Sequence, residues 1–379
     1  TMLSLAFFCT SALMADMLQG PREGHPLAKL HRIALLDGDL RMNDRRLGLE
    51  WRAPSADLVF AIEEEGIFGD VVLDVDLAGV GASLAATTFF DREDELLHAT
   101  VRFAKVVPAE LSTLSPAFAA LAALDAPTNG VLEVVTDSQG RFVERVGFDI
   151  NGGPGVLNAP EFVPTARLFD HFKAVGDVDP TFTLLRLDDL FVDAGGPSIS
   201  FAGLVEQAAS GVGISGDLTI IDMPFDEMKD YWPEELIPPT RWWVLNRVSA
   251  GVMRRFTAAI DLEPGEYPIK LGVPMRPEAV TAEFEFENIT VDYLNPMPKI
   301  VGVNGTGQAN TDTMFIDMWD GHVGNIKTSR GQATMWDLTG ANPSGAMTVS
   351  AHASASDAAA LIDSDPLRLM SEVNMRPDQ

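Results

Sequence analysis

The sequence constrains the fold most through its repeated two-residue alternation. Val71, Leu73, Val75 and Leu77 alternate with Val72, Asp74 and Asp76. Ala282, Phe284 and Phe286 alternate with Glu283, Glu285 and Glu287. Side chains of a strand point to opposite faces in turn, so each run presents one apolar face and one mostly acidic face. Phe142, Val146, Phe148 and Ile150 recur at even offsets after the turn Asp137-Ser138-Gln139-Gly140, and they read as a further strand. After Phe286 the apolar register flips to Ile289, Val291 and Tyr293, which predicts a bulge or turn near Asn288.

Turn signals separate these runs. Asp37-Gly38, Gly152-Gly153-Pro154-Gly155, Asp193-Ala194-Gly195-Gly196 and Asn304-Gly305 mark places where positive φ or a tight bend costs little. The spacing predicts short strands joined by hairpins, hence a mainly β, antiparallel meander. Ile33 to Asp44 and Leu184 to Gly203 read as variants of one theme: strand, short acidic turn, strand. Helices are predicted at Pro108 to Leu124, at Ile237 to Ala250 with Gly251 as its stop, and weakly at Asp357 to Ile362. Thr1 to Ala15 is apolar and nearly uncharged, and reads as an internal helix in preference to a signal peptide. The resulting organisation is a helix or linker over 1–20 and a first sheet section over 21–222. A Trp/Pro-rich helical segment follows over 223–251, then a second sheet section over 252–379.

Composition narrows the chemistry. With 55 acidic against 27 basic residues, the formal charge is −28. Phosphate backbones are repelled, and no basic stripe is interleaved with aromatics, so nucleic acid is not an expected partner. Cys9 is the only cysteine, which excludes an intramolecular disulfide and a cysteine-based zinc site. The histidines are isolated from one another, and no HExxH, Walker A or GxSxG motif occurs. Ser215 in Gly213-Ile214-Ser215-Gly216 lacks the second glycine of a nucleophile elbow. Gly302, Gly305 and Gly307 miss dinucleotide spacing and read as turn glycines. The carboxylates at Asp188-Asp189, Asp91 to Glu95 and Glu63 to Glu65 read as solvated turns. No catalytic residue, metal site or cofactor is expected.

The stretch from Asp230 to Val244 holds half of the six tryptophans. Its residues read as a helix docked by aromatics across a sheet end, with Arg241 stacked on a ring or paired with an acid. Here the chain also resembles a known family. Tyr231-Trp232-Pro233, then a proline, Arg241, Trp243-Val244 and a closing Gly251 are similar to the signature of the central domain of YhdP-type proteins, in the AsmA-like superfamily. Trp242 stands where that family usually has a polar residue. Leu35 to Leu40, Asp44 and Trp51 to Pro54 upstream follow its pattern, as do Phe284 to Tyr293, Pro296, Pro298 and Gly305 downstream. The resemblance covers about Met17 to Arg376.

The resemblance implies a non-catalytic periplasmic section of a bacterial envelope protein, anchored in the inner membrane by a helix of its parent chain. It implies a long, curled sheet with an apolar inner groove, phospholipid as partner, and a role in lipid movement to the outer membrane and in its barrier. The alternating strands suit such a groove. The candidates for its lining are Val71, Leu73, Val75, Leu77, Phe142, Phe148, Ile150, Phe284 and Phe286. Alternation looks the same in a closed core, so a structural or adhesive sheet protein stays open as an alternative, and so does an envelope hydrolase built on scattered carboxylates.

Overall fold

The computed structural model describes residues 29–44, 49–77, 79–114, 116–159, 164–234, 236–267, 275–340 and 343–369. The expected helix over Thr1 to Ala15 lies outside these residues. Strand accounts for 63% of the described residues, far above the share in an ordinary mixed domain, so the protein is mainly β. Among the described residues eighteen strands belong to one antiparallel sheet, and three short ones form a second. The expected groove-like curl is not found, because neither sheet is strongly curled.

The chain divides into two compact units, the first ending at Val192 and the second beginning at Asp193, with a short excursion over 160–165. In the first unit, β1 (Arg32–Asp44), β2 (Leu49–Ile62), β3 (Gly66–Leu77), β4 (Val80–Asp91) and β5 (Leu96–Val106) pair in sequence order. A helical insert follows, α1 (Pro108–Ser112) and a 3-10 turn (Pro116–Ala123). The single helix expected here is broken at its middle, since Pro116 cannot donate to the preceding turn. Beyond β6 (Leu124–Asp125), β7 (Thr128–Asp137) returns beside β5 and pairs with β8 (Val146–Gly152). The strands β9 (Gly155–Leu157) and β10 (Arg167–Phe169) join β6 in the small sheet. β11 (His171–Val178) pairs with β8, and β12 (Leu184–Asp193) follows.

The second unit runs β13 (Ser198–Ala208), β14 (Gly211–Pro224), a 3-10 turn (Phe225–Asp230) and α2 (Pro238–Arg247). Then come β15 (Val248–Ser249), β16 (Val252–Tyr267), β17 (Val280–Val291), β18 (Ile300–Asn310), β19 (Thr313–Val323), β20 (Ile326–Trp336), β21 (Ser344–His352) and α3 (Ala355–Ile362). Pairing is again between neighbours, with β14 passing over the helical insert to β16.

Several turn expectations change in the structure. Asp37-Gly38 is a bulge inside one continuous β1, with Asp37 at φ 53, so Ile33 to Asp44 is a single strand. Leu184 to Gly203 does run strand, turn, strand, and in the turn the Gly195 amide donates to Asp193 Oδ1 at 3.0 Å. Asp188 and Asp189 lie on β12, where they pair with Arg186 and Lys173 and do not form a turn. Ser215 sits in mid-strand opposite Leu204 and Asp261. The flip after Phe286 is a bulge: Asn288 takes φ 56, and its amide donates to Asn304 Oδ1 at 2.8 Å. α2 ends at Arg247, four residues before Gly251, because Val248 turns extended and pairs with Val291.

Candidate functional site

Cross-strand register turns the alternation into continuous apolar rows. In the second unit one row reads Ile199, Ile220, Phe256, Phe284, Gly307, Ile316, Ala333, Met347 across eight strands. The row beside it reads Phe201, Leu218, Ala258, Ala282, Ala309, Met314, Met335, Gly345. In the first unit, Leu35, Leu58, Val71, Ala86, Val101, Leu132, Phe148 and Gly176 form a comparable row. Most members of these rows are half-buried, although the side chains are apolar.

Glycines determine how the large rings lie. Phe284 faces Gly307 and Phe286 faces Gly305. A Cβ on Gly307 would stand 2.1 Å from Phe284 Cζ, and one on Gly305 would stand 2.3 Å from Phe286 Cζ. Both rings therefore lie down over the next strand, stacked side by side with centroids 6.3 Å apart. The turn role expected for Gly305 and Gly307, and for Asn304-Gly305, is thus replaced by a mid-strand role: the missing Cβ makes room for an aromatic ring. Phe60 over Gly69, Phe103 over Gly130 and Phe148 over Gly176 repeat the device in the first unit. Side chains of packed sandwich layers stand up and interdigitate across about 10 Å. Rings lying flat make a smooth apolar floor.

One end of each floor is closed by a helical insert. In the second unit Phe286, Ile289, Val291, Met223, Ile300 and Val303 form a buried cluster. Tyr231, Trp232, Trp243, Val244, Leu245 and Val248 pack against it. The Trp/Pro segment is thus a lid on a sheet end. Trp232 Nε1 donates to Leu236 O at 2.6 Å, and the Leu236 amide donates to Pro233 O at 3.2 Å. Among the described residues Arg241 neither stacks on a ring nor pairs with an acid as expected. Its Nε donates to Trp232 O at 2.9 Å, buttressing the lid from within. Arg247 takes the stacking place, 6.0 Å from the centre of exposed Trp242, and pairs with Asp292. Gly251 takes φ 65 between β15 and β16, where a Cβ would strike Glu287 O at 2.3 Å. In the first unit Leu111, Leu114 and Leu121 of the insert close the end at Ala82, Phe103 and Val106.

The candidate residues therefore divide. Leu73 is 2% exposed and joins Val71 and Val75 in a buried cluster with Trp51, Ala53, Ala56 and Leu84. Phe286, at 4%, belongs to the closed end under the lid. Phe284, Phe148 and Ile150 are half-buried on the floor. Phe142 lies before β8, joined only by an isolated bridge to Thr136. It packs with Ala99, Val134 and Val146, its ring meeting that of Phe182 edge-on. Leu77 ends β3 opposite Val80, and its side chain is outside the described residues. Sequence reading missed Ile220, Phe256, Ile316 and the methionines 314 and 335, whose alignment depends on register between distant strands.

Among the described residues no group of three or more His, Cys, Asp or Glu could hold a metal, and no helix is long and apolar enough to cross a membrane. Comparisons with protein-family models, with curated proteins and with solved structures return no match.

Proposed function

We propose that this chain is a non-catalytic section of an AsmA-like, YhdP-type envelope protein whose apolar floor carries phospholipid acyl chains in the periplasm, between an inner membrane that anchors the parent chain and the outer membrane. The observation carrying this reading is the set of half-buried apolar rows, smoothed by rings laid over glycines and closed at one end by the tryptophan lid. Among the described residues of the second unit every strand belongs to one sheet without strong curl. Acyl chains moved from water onto such a surface gain about 0.8 kcal/mol per buried CH₂ group. A floor without polar steps lets a chain slide with a low barrier, and no covalent chemistry is needed. The signature Tyr231-Trp232-Pro233, Arg241, Trp243 and Gly251 supports the family reading through its structural role in the lid.

The alternative, a structural or adhesive sheet with no ligand, draws on the buried clusters around Leu73 and Phe286. A fluorescent fatty-acid titration separates the two. Lipid carriage predicts saturable binding that Phe284→Asp abolishes, since it places a charge on the open floor. Asp at Phe315, on the other face of the same sheet, leaves binding intact. Equal loss in both variants, or no binding by the wild type, rejects the carriage reading.

A further inference from the structure

The opposite face of the second unit is polar, yet it carries exposed aromatic rings. Phe315, Trp319 and Trp336 are 40%, 39% and 41% exposed on neighbouring strands β19 and β20. All three share one face: Phe315 and Trp319 are four residues apart on β19, and Trp336 stands opposite Thr313, two residues before Phe315. Four residues of strand place the first two about 13 Å apart along the sheet. Phe315 borders a shallow depression of about 360 Å³ whose lining includes Arg255, Glu283, Phe284, Glu285, Gln308 and Asp317.

The polar groups there are largely matched among themselves. Gln308 Nε2 donates to Glu283 Oε1 at 3.3 Å, Gln332 Nε2 donates to Asp317 Oδ1 at 2.9 Å, and Arg330 pairs with the same carboxylate at 3.5 Å. Arg255 lies directly opposite Glu285 in register. Amides, hydroxyls and charges of both signs thus surround flat apolar rings. A phosphate-rich ligand meets these carboxylates unfavourably, and an oligolysine, which the net acidic lining would attract, has no flat apolar face to stack on the rings. A pyranose ring has apolar C–H faces that stack on aromatic rings and a rim of hydroxyls that pair with amides and carboxylates. A row of spaced rings suits several such units in sequence.

From these features the geometry points to a binding platform for a neutral oligosaccharide on the polar face of β16 to β20, centred on Phe315, Trp319 and Trp336. This site is independent of the acyl-chain floor on the other face. The test is titration of the full chain with tetra-N-acetylchitotetraose and with cellotetraose, followed by tryptophan fluorescence and calorimetry, with octalysine as the competing class of ligand. The expected result is saturable binding of at least one tetrasaccharide. It weakens about three- to tenfold when Phe315→Ala, Trp319→Ala or Trp336→Ala removes a ring. Unchanged circular dichroism of these surface variants shows that the loss is not unfolding. Three outcomes overturn the proposal: no binding of either saccharide at millimolar concentration, saccharide binding indifferent to all three substitutions, or binding of octalysine alone.

Discussion

Gly307 and Gly305 show how a single missing Cβ shapes the floor. At Gly305 a methyl would meet both the Phe286 ring and the Asp317 carbonyl oxygen, at 2.3 and 2.5 Å, and Phe286 is buried under the lid. At Gly331 the nearest atoms are 3.3 to 3.4 Å away. Gly305→Ala is therefore expected to lose about 1–3 kcal/mol in urea denaturation, and Gly331→Ala much less. Equal losses would show that the rings have room to move. Asp177 is the other residue with an outsized role. It is buried on β11 and bonded by Arg145 Nη1 at 2.6 Å and Arg186 Nε at 2.7 Å. Burial alone would raise its carboxyl, but the two guanidinium hydrogen bonds outweigh it and hold the group below its ordinary value. A lowered carboxyl contributes stability that is present above the ordinary value and is lost as pH falls through the lowered one. Asp177→Asn is expected to cost about 1–3 kcal/mol at pH 7. Below about pH 4 its stability should fall less steeply than the wild type's, and parallel pH profiles would contradict the assignment.

At the scale of elements, strands were legible because period-two alternation is local. β3, β17 with its bulge at Asn288, and α3 follow directly from residues read in order. Pairing partners were not, since Phe284 meets Gly307 across a connection of more than twenty residues. Glycines at mid-strand look like turn glycines until the register supplies the ring that needs the space. The same blindness explains why Leu73 and Phe284 looked alike in sequence: one is covered and the other half-open. The lid was legible from its tryptophans, but not the job of Arg241, which bonds main-chain oxygens. Trp243→Ala is expected to destabilise the second unit by about 2–4 kcal/mol, read as a lower thermal midpoint, while Trp242→Ala, on the exposed side, changes it little. Equal effects would place both rings on the same side of the helix and contradict the packing described.

For the molecule as a whole, an apolar floor and an acidic exterior are two results of one sequence pattern. The charge of −28 keeps the acidic face of the sheet in water and apart from anionic surfaces, while the rows opposite are apolar and half-buried. The structure also sharpens how this should be tested. A charge at Phe286 enters a closed cluster and threatens folding, whereas a charge at Phe284 falls on the half-open floor. The most direct measurement is native mass spectrometry of the purified chain, followed by lipid extraction, for the wild type and for Phe284→Asp. Lipid carriage predicts stoichiometric phospholipid on the wild type and its loss from a variant that keeps its circular dichroism. A folded wild type that carries no lipid, even after incubation with phospholipid vesicles, would contradict the account and leave a structural sheet in its place.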